Sequence, residues 1–191
     1  MTVGERFVYK IVLAGPSGVG KTCLCNRFVD GVFTARTKRT LGVDFALKNV
    51  ALSADDPDNP SPFERQITLQ LWDFAGEERF RSVLPLYISG TQCVMLSFDL
   101  TRPETLDALE DWLDVLGRHL DEETPILLIG MKRDLEQKVS EDAITNFKSK
   151  HNIDHFLETS SATGLGVEEA FQKATREIVS RKSGVRPVKE L

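Results

Sequence analysis

Short apolar runs alternate along this chain with longer stretches of helical periodicity. FVYKIVLAG (7–15), CVMLSFDL (93–100), PILLIG (125–130) and DHFLETS (154–160) read as strands of a parallel sheet covered on both faces. After Pro103, Leu106, Leu109, Leu113, Leu116 and Leu120 recur at three- and four-residue steps, which predicts one helix packed on that sheet. Val167, Ala170, Phe171, Ala174 and Ile178 give the last helix a single apolar stripe, and Lys and Arg gather in its closing turns, where the macrodipole favours cations. One region breaks this rhythm. GVDFALKNVAL (42–52) and FERQITLQLW (63–72) alternate with period two, clearest at Ile67, Leu69 and Leu71, and predict an antiparallel hairpin at the sheet edge. Their connector SADDPDNPSP (53–62) holds three Pro, three Asp and no large apolar residue, which predicts a long, solvated, mobile loop. Asp55, Asp56 and Asp58 read there as solvated turn residues rather than cation ligands.

Composition narrows the class. At 191 residues, with 41% apolar and 28% charged content, the chain suits one globular domain, assigned to residues 1–182, with 183–191 as a short tail. A net charge of −5 argues against a nucleic-acid-binding surface and leaves room for a small local anion site. No apolar run approaches the roughly 20 residues that span a bilayer, and MTVGERFVYK lacks the apolar segment of a signal peptide, so a cytoplasmic monomer is expected. Cys23, Cys25 and Cys93 lack metal-ligand spacing and read as reduced thiols buried as small apolar residues. The tail SGVRPVKEL contains no cysteine, so no lipid anchor is expected. His119, His151 and His155 lie away from every motif and read as packing residues.

The chemistry is concentrated in two motifs. GPSGVGKT (15–22) satisfies G-x-x-x-x-G-K-[ST] between a predicted strand and a predicted helix, the context its mechanism needs. Its glycines let successive N–H groups turn inward on an anion, and the helix start adds its positive dipole end. Lys21 is expected to reach the β- and γ-phosphates, and Thr22 to ligate Mg²⁺ through its hydroxyl. In LQLWDFAGEERF, Asp73 and Gly76 form a D-x-x-G step that aims a carboxylate at the water shell of the metal. Gly76, with no Cβ, can offer its N–H to a γ-phosphate.

With these motifs the sequence resembles the Ras superfamily of small GTPases, and within it the Rab branch, over roughly residues 7–180. GPSGVGKT, TLGVDF, LQLWDFAGEERFRSVLPLYISG, FDLTRPETL, GMKRDL and ETSSATGLGVEEAF stand in the family's order. The resemblance implies a single P-loop NTPase domain of α/β class: a six-stranded, mostly parallel sheet with one antiparallel edge strand, about five flanking helices and two switch segments. It implies a GTP-binding switch that hydrolyses GTP to GDP with Mg²⁺. Lys21, Thr40, Gly76 and Glu77 would be its catalytic set, and Thr22, Thr40 and, through water, Asp73 would hold the metal. The nucleotide would be held by Ser17, Gly18, Val19, Gly20, Lys21, Thr22 and Cys23. Phe33 would flank the base, and Lys132, Asp134, Ser160, Ser161 and Ala162 would recognise it. Asp134 can accept from the N1–H and the exocyclic amine of guanine, a donor pair adenine does not present.

Three positions depart from the family pattern. Met131 replaces the Asn that ties base to P-loop, Ala162 replaces a Lys, and Glu77 replaces the Gln that orients the attacking water. A carboxylate at 77 accepts a proton but repels the γ-phosphate, so hydrolysis is expected to be slow without an activating protein. The alternative is a guanine-nucleotide-binding scaffold whose hydrolysis has decayed. Arg36, Lys38 and Arg39 are candidates for a cation that swings in to assist. The resemblance also implies an exchange factor, an activating protein and effectors that bind the switch segments, with Phe45, Trp72 and Tyr87 as candidate contacts.

Overall fold

The computed structural model describes residues 6–35, 40–53, 56, 64–77 and 84–182. The candidates Arg36, Lys38 and Arg39, the connector residues Asp55 and Asp58, and the tail 183–191 lie outside the described residues. Along the chain run β1 (Arg6–Ala14), α1 (Lys21–Asp30), β2 (Val43–Leu52), β3 (Arg65–Phe74) and α2 (Leu84–Ile88). There follow β4 (Cys93–Asp99), α3 (Glu104–Asp107), α4 (Leu109–Gly117), β5 (Ile126–Met131), α5 (Glu141–Lys150), β6 (His155–Thr159) and α6 (Val167–Lys182).

One six-stranded sheet has the order β2-β3-β1-β4-β5-β6. Every neighbouring pair is parallel except β2 with β3, where Val50 lies opposite Ile67 and Phe45 opposite Trp72. The expected hairpin therefore forms at the sheet edge. All seven residues of β4 are buried, as a central strand of a doubly covered parallel sheet requires. The strand order reverses beside β1, so the crevice at the carboxyl ends of β1, β3 and β4 is where such a sheet binds ligands.

Two cores flank the sheet. On one face Leu24, Cys25 and Phe28 of α1 meet Phe171, Ala174 and Ile178 of α6 over Ile11, Leu69 and Leu71. Phe28 and Phe171 stack with centroids 3.9 Å apart, worth about 1 kcal/mol beyond their buried area. On the other face Leu106, Leu109, Trp112 and Leu116 pack over Val12, Val94 and Leu96.

The leucine stripe after Pro103 does not form one unbroken helix. A turn at Ala108 separates α3 from α4, Leu113 and Leu120 are only partly buried, and Trp112, outside the stripe, is the largest fully buried side chain. The stripe carried the facing leucines but not the indole one step away, whose volume fills the layer. Cysteine packing also differs from expectation: Cys25 and Cys93 are buried, whereas Cys23 is half-buried beside a cleft. Asp56, expected in solvent, accepts from Arg176 Nε of α6 at 2.9 Å and its side chain is nearly buried against that helix. His151 Nε2 lies 3.0 Å from Glu110 on the surface, which agrees with a packing role.

Glu177 is buried on α6 with Oε1 at 2.8 Å from His155 Nε2 and 3.0 Å from Lys173 Nζ. Burial alone would raise its carboxyl, but hydrogen bonds and charge from His155 and Lys173 outweigh that and hold it down at about 2. A carboxyl depressed in the folded state stabilises fully above its unfolded value of about 4.3, and that stability is lost as pH falls toward 2. Glu177→Gln should therefore flatten the acid decline of melting temperature between about pH 4.5 and pH 2. Superposable acid profiles for variant and wild type would mean these ion pairs add nothing.

Candidate functional site

The loop after β1 is shaped by close backbone approach. Gly15 has φ 137°, and a Cβ there would stand 2.1 Å from the Ser97 carbonyl oxygen of β4, so only glycine lets the chain turn at that point. The loop delivers Lys21 to the first position of α1, a helix without a side-chain cap at its start. Its N-terminal N–H groups open on a cleft of about 620 Å³ that Lys21, Thr22 and Cys23 line. Ser17, Gly18, Val19 and Gly20 line the same cleft.

Lys21 Nζ folds back to donate to Gly15 O at 2.7 Å and Pro16 O at 2.9 Å. Its burial pulls the ammonium down to about 8, a shift the Asp73 charge partly opposes. Such a cation gains from an anion in the cleft, which would stabilise its charged form.

Three oxygens converge beside it. Thr22 Oγ1 and Thr40 Oγ1 are 2.8 Å apart, Thr22 donates to Asp73 Oδ2, and Thr40 Oγ1 lies 3.4 Å from the same atom. Asp73 Oδ1 is buried with no hydrogen-bond partner among the described residues. Burial raises the Asp73 carboxyl above its ordinary value, more than the Lys21 charge and the Thr22 and Thr40 hydroxyls lower it. An all-oxygen set around a buried, half-satisfied carboxylate fits a small hard cation such as Mg²⁺.

D-x-x-G closes directly on the phosphate loop. A Cβ on Gly76 would stand 2.3 Å from the Pro16 carbonyl carbon and from the Ser17 amide nitrogen. Gly76 and Glu77 both line the cleft, as does Thr40, so the residues expected as catalytic face one space.

The opposite end of the cleft is built after β5 and β6. Lys132 sits at φ 64°, unusual for a residue with a side chain. Its conformation is held because Nζ donates to Asp99 Oδ2 at 2.6 Å and to Gly18 O at 3.1 Å. Asp134 lines the cleft, with Oδ1 accepting from Ser160 Oγ at 2.5 Å. Ser160 is fully buried, and the next two residues, Ser161 and Ala162, reach the cleft itself. Phe33, 39% exposed, also lines the cleft.

Met131 is buried at the end of β5, where its sulfur accepts from Thr159 Oγ1 at 3.3 Å. Its terminal methyl lies 3.3 Å from where a Cβ on Gly20 would be. The position expected to lack a polar tie is instead a packed piece of wall beneath the loop.

Arg102, outside the predicted set, lines this cleft, and Asp99, which does not line it, binds both Arg102 and Lys132. Asp99 ends β4 wholly buried, with Oδ1 accepting from Thr101 N and Oγ1 and Oδ2 taking Lys132 and Arg102. Burial would raise its carboxyl, but the hydrogen bonds from Lys132, Thr101 and Arg102 outweigh that and keep it below the usual carboxylate value. The signal was in the sequence: a carboxylate closing an otherwise apolar strand must find cations.

The three candidate partner aromatics form one surface cluster. Phe45 meets Trp72 edge-on at 5.4 Å, Trp72 lies 6.0 Å from Tyr87, and Phe45 and Tyr87 are exposed. Lys10 Nζ sits 4.3 Å from the centre of the Trp72 ring while donating to the Tyr87 and Ser89 carbonyls. A single cation thus joins β1 to the end of α2 and orders the cluster.

Fold and cleft together define a P-loop α/β domain. A family profile described as the Ras family matches residues 10–180, and the chain belongs to that family. Among its relatives, Ras-related protein Rab-7a of Paramecium octaurelia is 34% identical over 95% of this chain and 86% of its own length. GTP-binding protein ypt4 of Schizosaccharomyces pombe is 36% identical over 92% and 73%. Ras-related protein RABA1c of Arabidopsis thaliana is 37% identical over 93% and 79%. Such similarity puts the chain on the Rab branch.

Because its Cα lies against the loop backbone, Gly76→Ala should force the D-x-x-G segment off the loop and cost about 1–3 kcal/mol. The check is thermal unfolding. A variant that melts with the wild type would show that this contact is not held in solution.

Proposed function

We propose that this protein is a guanine-nucleotide switch that binds GTP with Mg²⁺, hydrolyses it to GDP, and changes its partner surface when the γ-phosphate leaves. The observation that carries the reading is that one cleft is lined at one end by the glycine loop with Lys21 and Thr22, and at the other by Asp134. A phosphate cradle alone fits any nucleotide. Asp134 adds a carboxylate for the paired donors of guanine, Ser161 can offer its N–H to the guanine oxygen, and Phe33 and the Lys132 stem can cover the ring faces.

Each residue then has a task. Lys21 places its ammonium against the β- and γ-phosphates. Thr22 and Thr40 would hold the cation through their hydroxyl oxygens and Asp73 would reach it through water, and the cation would neutralise charge on the phosphate oxygens. Gly76 would offer its N–H to the γ-phosphate, so Gly76 and Thr40 would each gain a nucleotide contact that is present only in the triphosphate state. Water attacks the γ-phosphorus and the bond to the β–γ bridging oxygen breaks. Glu77 can take the water's proton but donates nothing to the growing charge, so the intrinsic rate is slow and an activating protein supplies what is missing. Exchange factor and effectors would meet the same two segments, with Phe45, Trp72 and Tyr87 as the aromatic contact surface.

Glu77, in the place of the family's Gln, favours a second reading, a nucleotide-binding scaffold without turnover. Radiolabelled nucleotide binding followed by phosphate release separates the two. Tight GTP binding with phosphate release supports the switch, tight binding without release supports the scaffold, and equal affinity for ATP overturns both.

Glu77→Gln should change the single-turnover rate measurably while leaving GDP affinity within a few-fold, and an unchanged rate would mean the side chain never meets the attacking water. Met131→Asn should slow GDP dissociation by about tenfold, the worth of roughly one net hydrogen bond, because an amide beside Thr159 and Gly20 could bridge base and loop. Stopped-flow release of fluorescent GDP checks this. Release no slower than wild type would show that the loop gains nothing from a polar group there.

A further inference from the structure

The cleft contains a cation that neither motif accounts for. Arg102 follows β4 in the turn that leads into α3, and it lines the cleft beside Gly18. Its Nε donates to Asp99 Oδ2 at 2.9 Å, the oxygen that also takes Lys132 Nζ at 2.6 Å. One buried carboxylate therefore faces two cations, and this wall of the cleft keeps a net positive charge.

The guanidinium is planar, so pinning Nε fixes where the other nitrogens point. Although the side chain as a whole is 39% exposed, Nη2 is shielded and has no hydrogen-bond partner among the described residues. That nitrogen lies 3.7 Å from where a Cβ on Gly18 would be. A shielded N–H donor without an acceptor is costly, and this one stands beside Gly18 in the loop where the phosphates would sit.

We propose that Arg102 is a nucleotide-binding residue: positioned by Asp99, it donates from Nη2 to phosphate oxygens beyond the α-phosphate of the nucleotide in the cleft. The proposal rests on the nucleotide reading above. Gly18 belongs to the anion loop, and its carbonyl is already engaged by Lys132, so the phosphate chain is the part of the ligand within reach. A ribose hydroxyl could also accept, but a guanidinium gains more from an anionic oxygen, since charge-assisted hydrogen bonds are about twice as strong as neutral ones.

The test compares GDP with GMP, which lacks the β-phosphate, in wild type, Arg102→Ala and Arg102→Lys at full length. Arg102→Ala should weaken GDP binding about tenfold, leave GMP binding near wild type, and be partly rescued for GDP by Lys. Equal losses for GDP and GMP would overturn the proposal, because Arg102 would then act by bracing Asp99 and Lys132 or by contacting the ribose. Wild-type GDP affinity in Arg102→Ala would overturn it too. Failure of the wild type to bind GDP at all would remove the nucleotide reading and this proposal together, whereas intact wild-type binding with an insensitive Arg102→Ala removes the proposal alone.

Discussion

Backbone lies on backbone at the carboxyl end of this sheet, and the cleft depends on that close approach. The loop leaving β1 passes so near β4 that residue 15 has no space for a side chain, and Gly76 after β3 stands against the same loop from the other side. Near the far end, a Cβ on Gly166 would lie 2.2 Å from the Glu158 carbonyl oxygen, so the turn after β6 is drawn in the same way. Glycine at these points removes side-chain volume and lets polar backbone atoms line a space that apolar strands could not otherwise present to a charged ligand.

A polar cleft sunk into an apolar sheet brings an electrostatic difficulty with it. Lys21, Asp73 and Asp99 are all buried, and burial pushes each toward its neutral form. Their neighbours resolve this differently. Asp99 is over-supplied, with two cations and two hydroxyl or amide donors, and stays ionised as a fixed girder between the β4 turn and the β5 turn. Asp73 and Lys21 are under-supplied, with one carboxylate oxygen unpaired among the described residues and one ammonium resting on carbonyls. Saturated groups hold the frame, and the unsaturated groups are where the proposed nucleotide and metal would complete the charge balance.

The same frame sets the outer surface. Because β2 and β3 form a hairpin at the edge, residues alternate between core and solvent, and Phe45 and Trp72 fall opposite one another on the outer side. Lys10 reaches from β1 under Trp72 to the end of α2, so the aromatic cluster is tied to the strand that carries the phosphate loop. A change at Thr40 or Gly76 has a short covalent path to this surface, since β2 begins three residues after Thr40 and β3 ends two residues before Gly76.

Much of this could be read without coordinates. Period-two alternation located the hairpin, apolar runs located the parallel strands, and GPSGVGKT announced its cradle, because each is a local pattern whose meaning is set by residues close in sequence. The helix after Pro103 was only half legible: the leucine spacing gave its direction, but the turn at Ala108 and the burial of Trp112 follow from the volume available over β4. Cys23 and Asp56 were misplaced for a related reason, since burial depends on which distant element lies above a residue, here a cleft for one and Arg176 for the other. Sequence alone determined the chain's family, its sheet and the identity of its phosphate loop. Only tertiary structure decided that Met131 is packed wall, that Asp99 takes Lys132 as well as its near neighbour Arg102, and that Arg102 Nη2 is shielded beside Gly18 without a partner among the described residues, because each depends on residues that the chain keeps far apart.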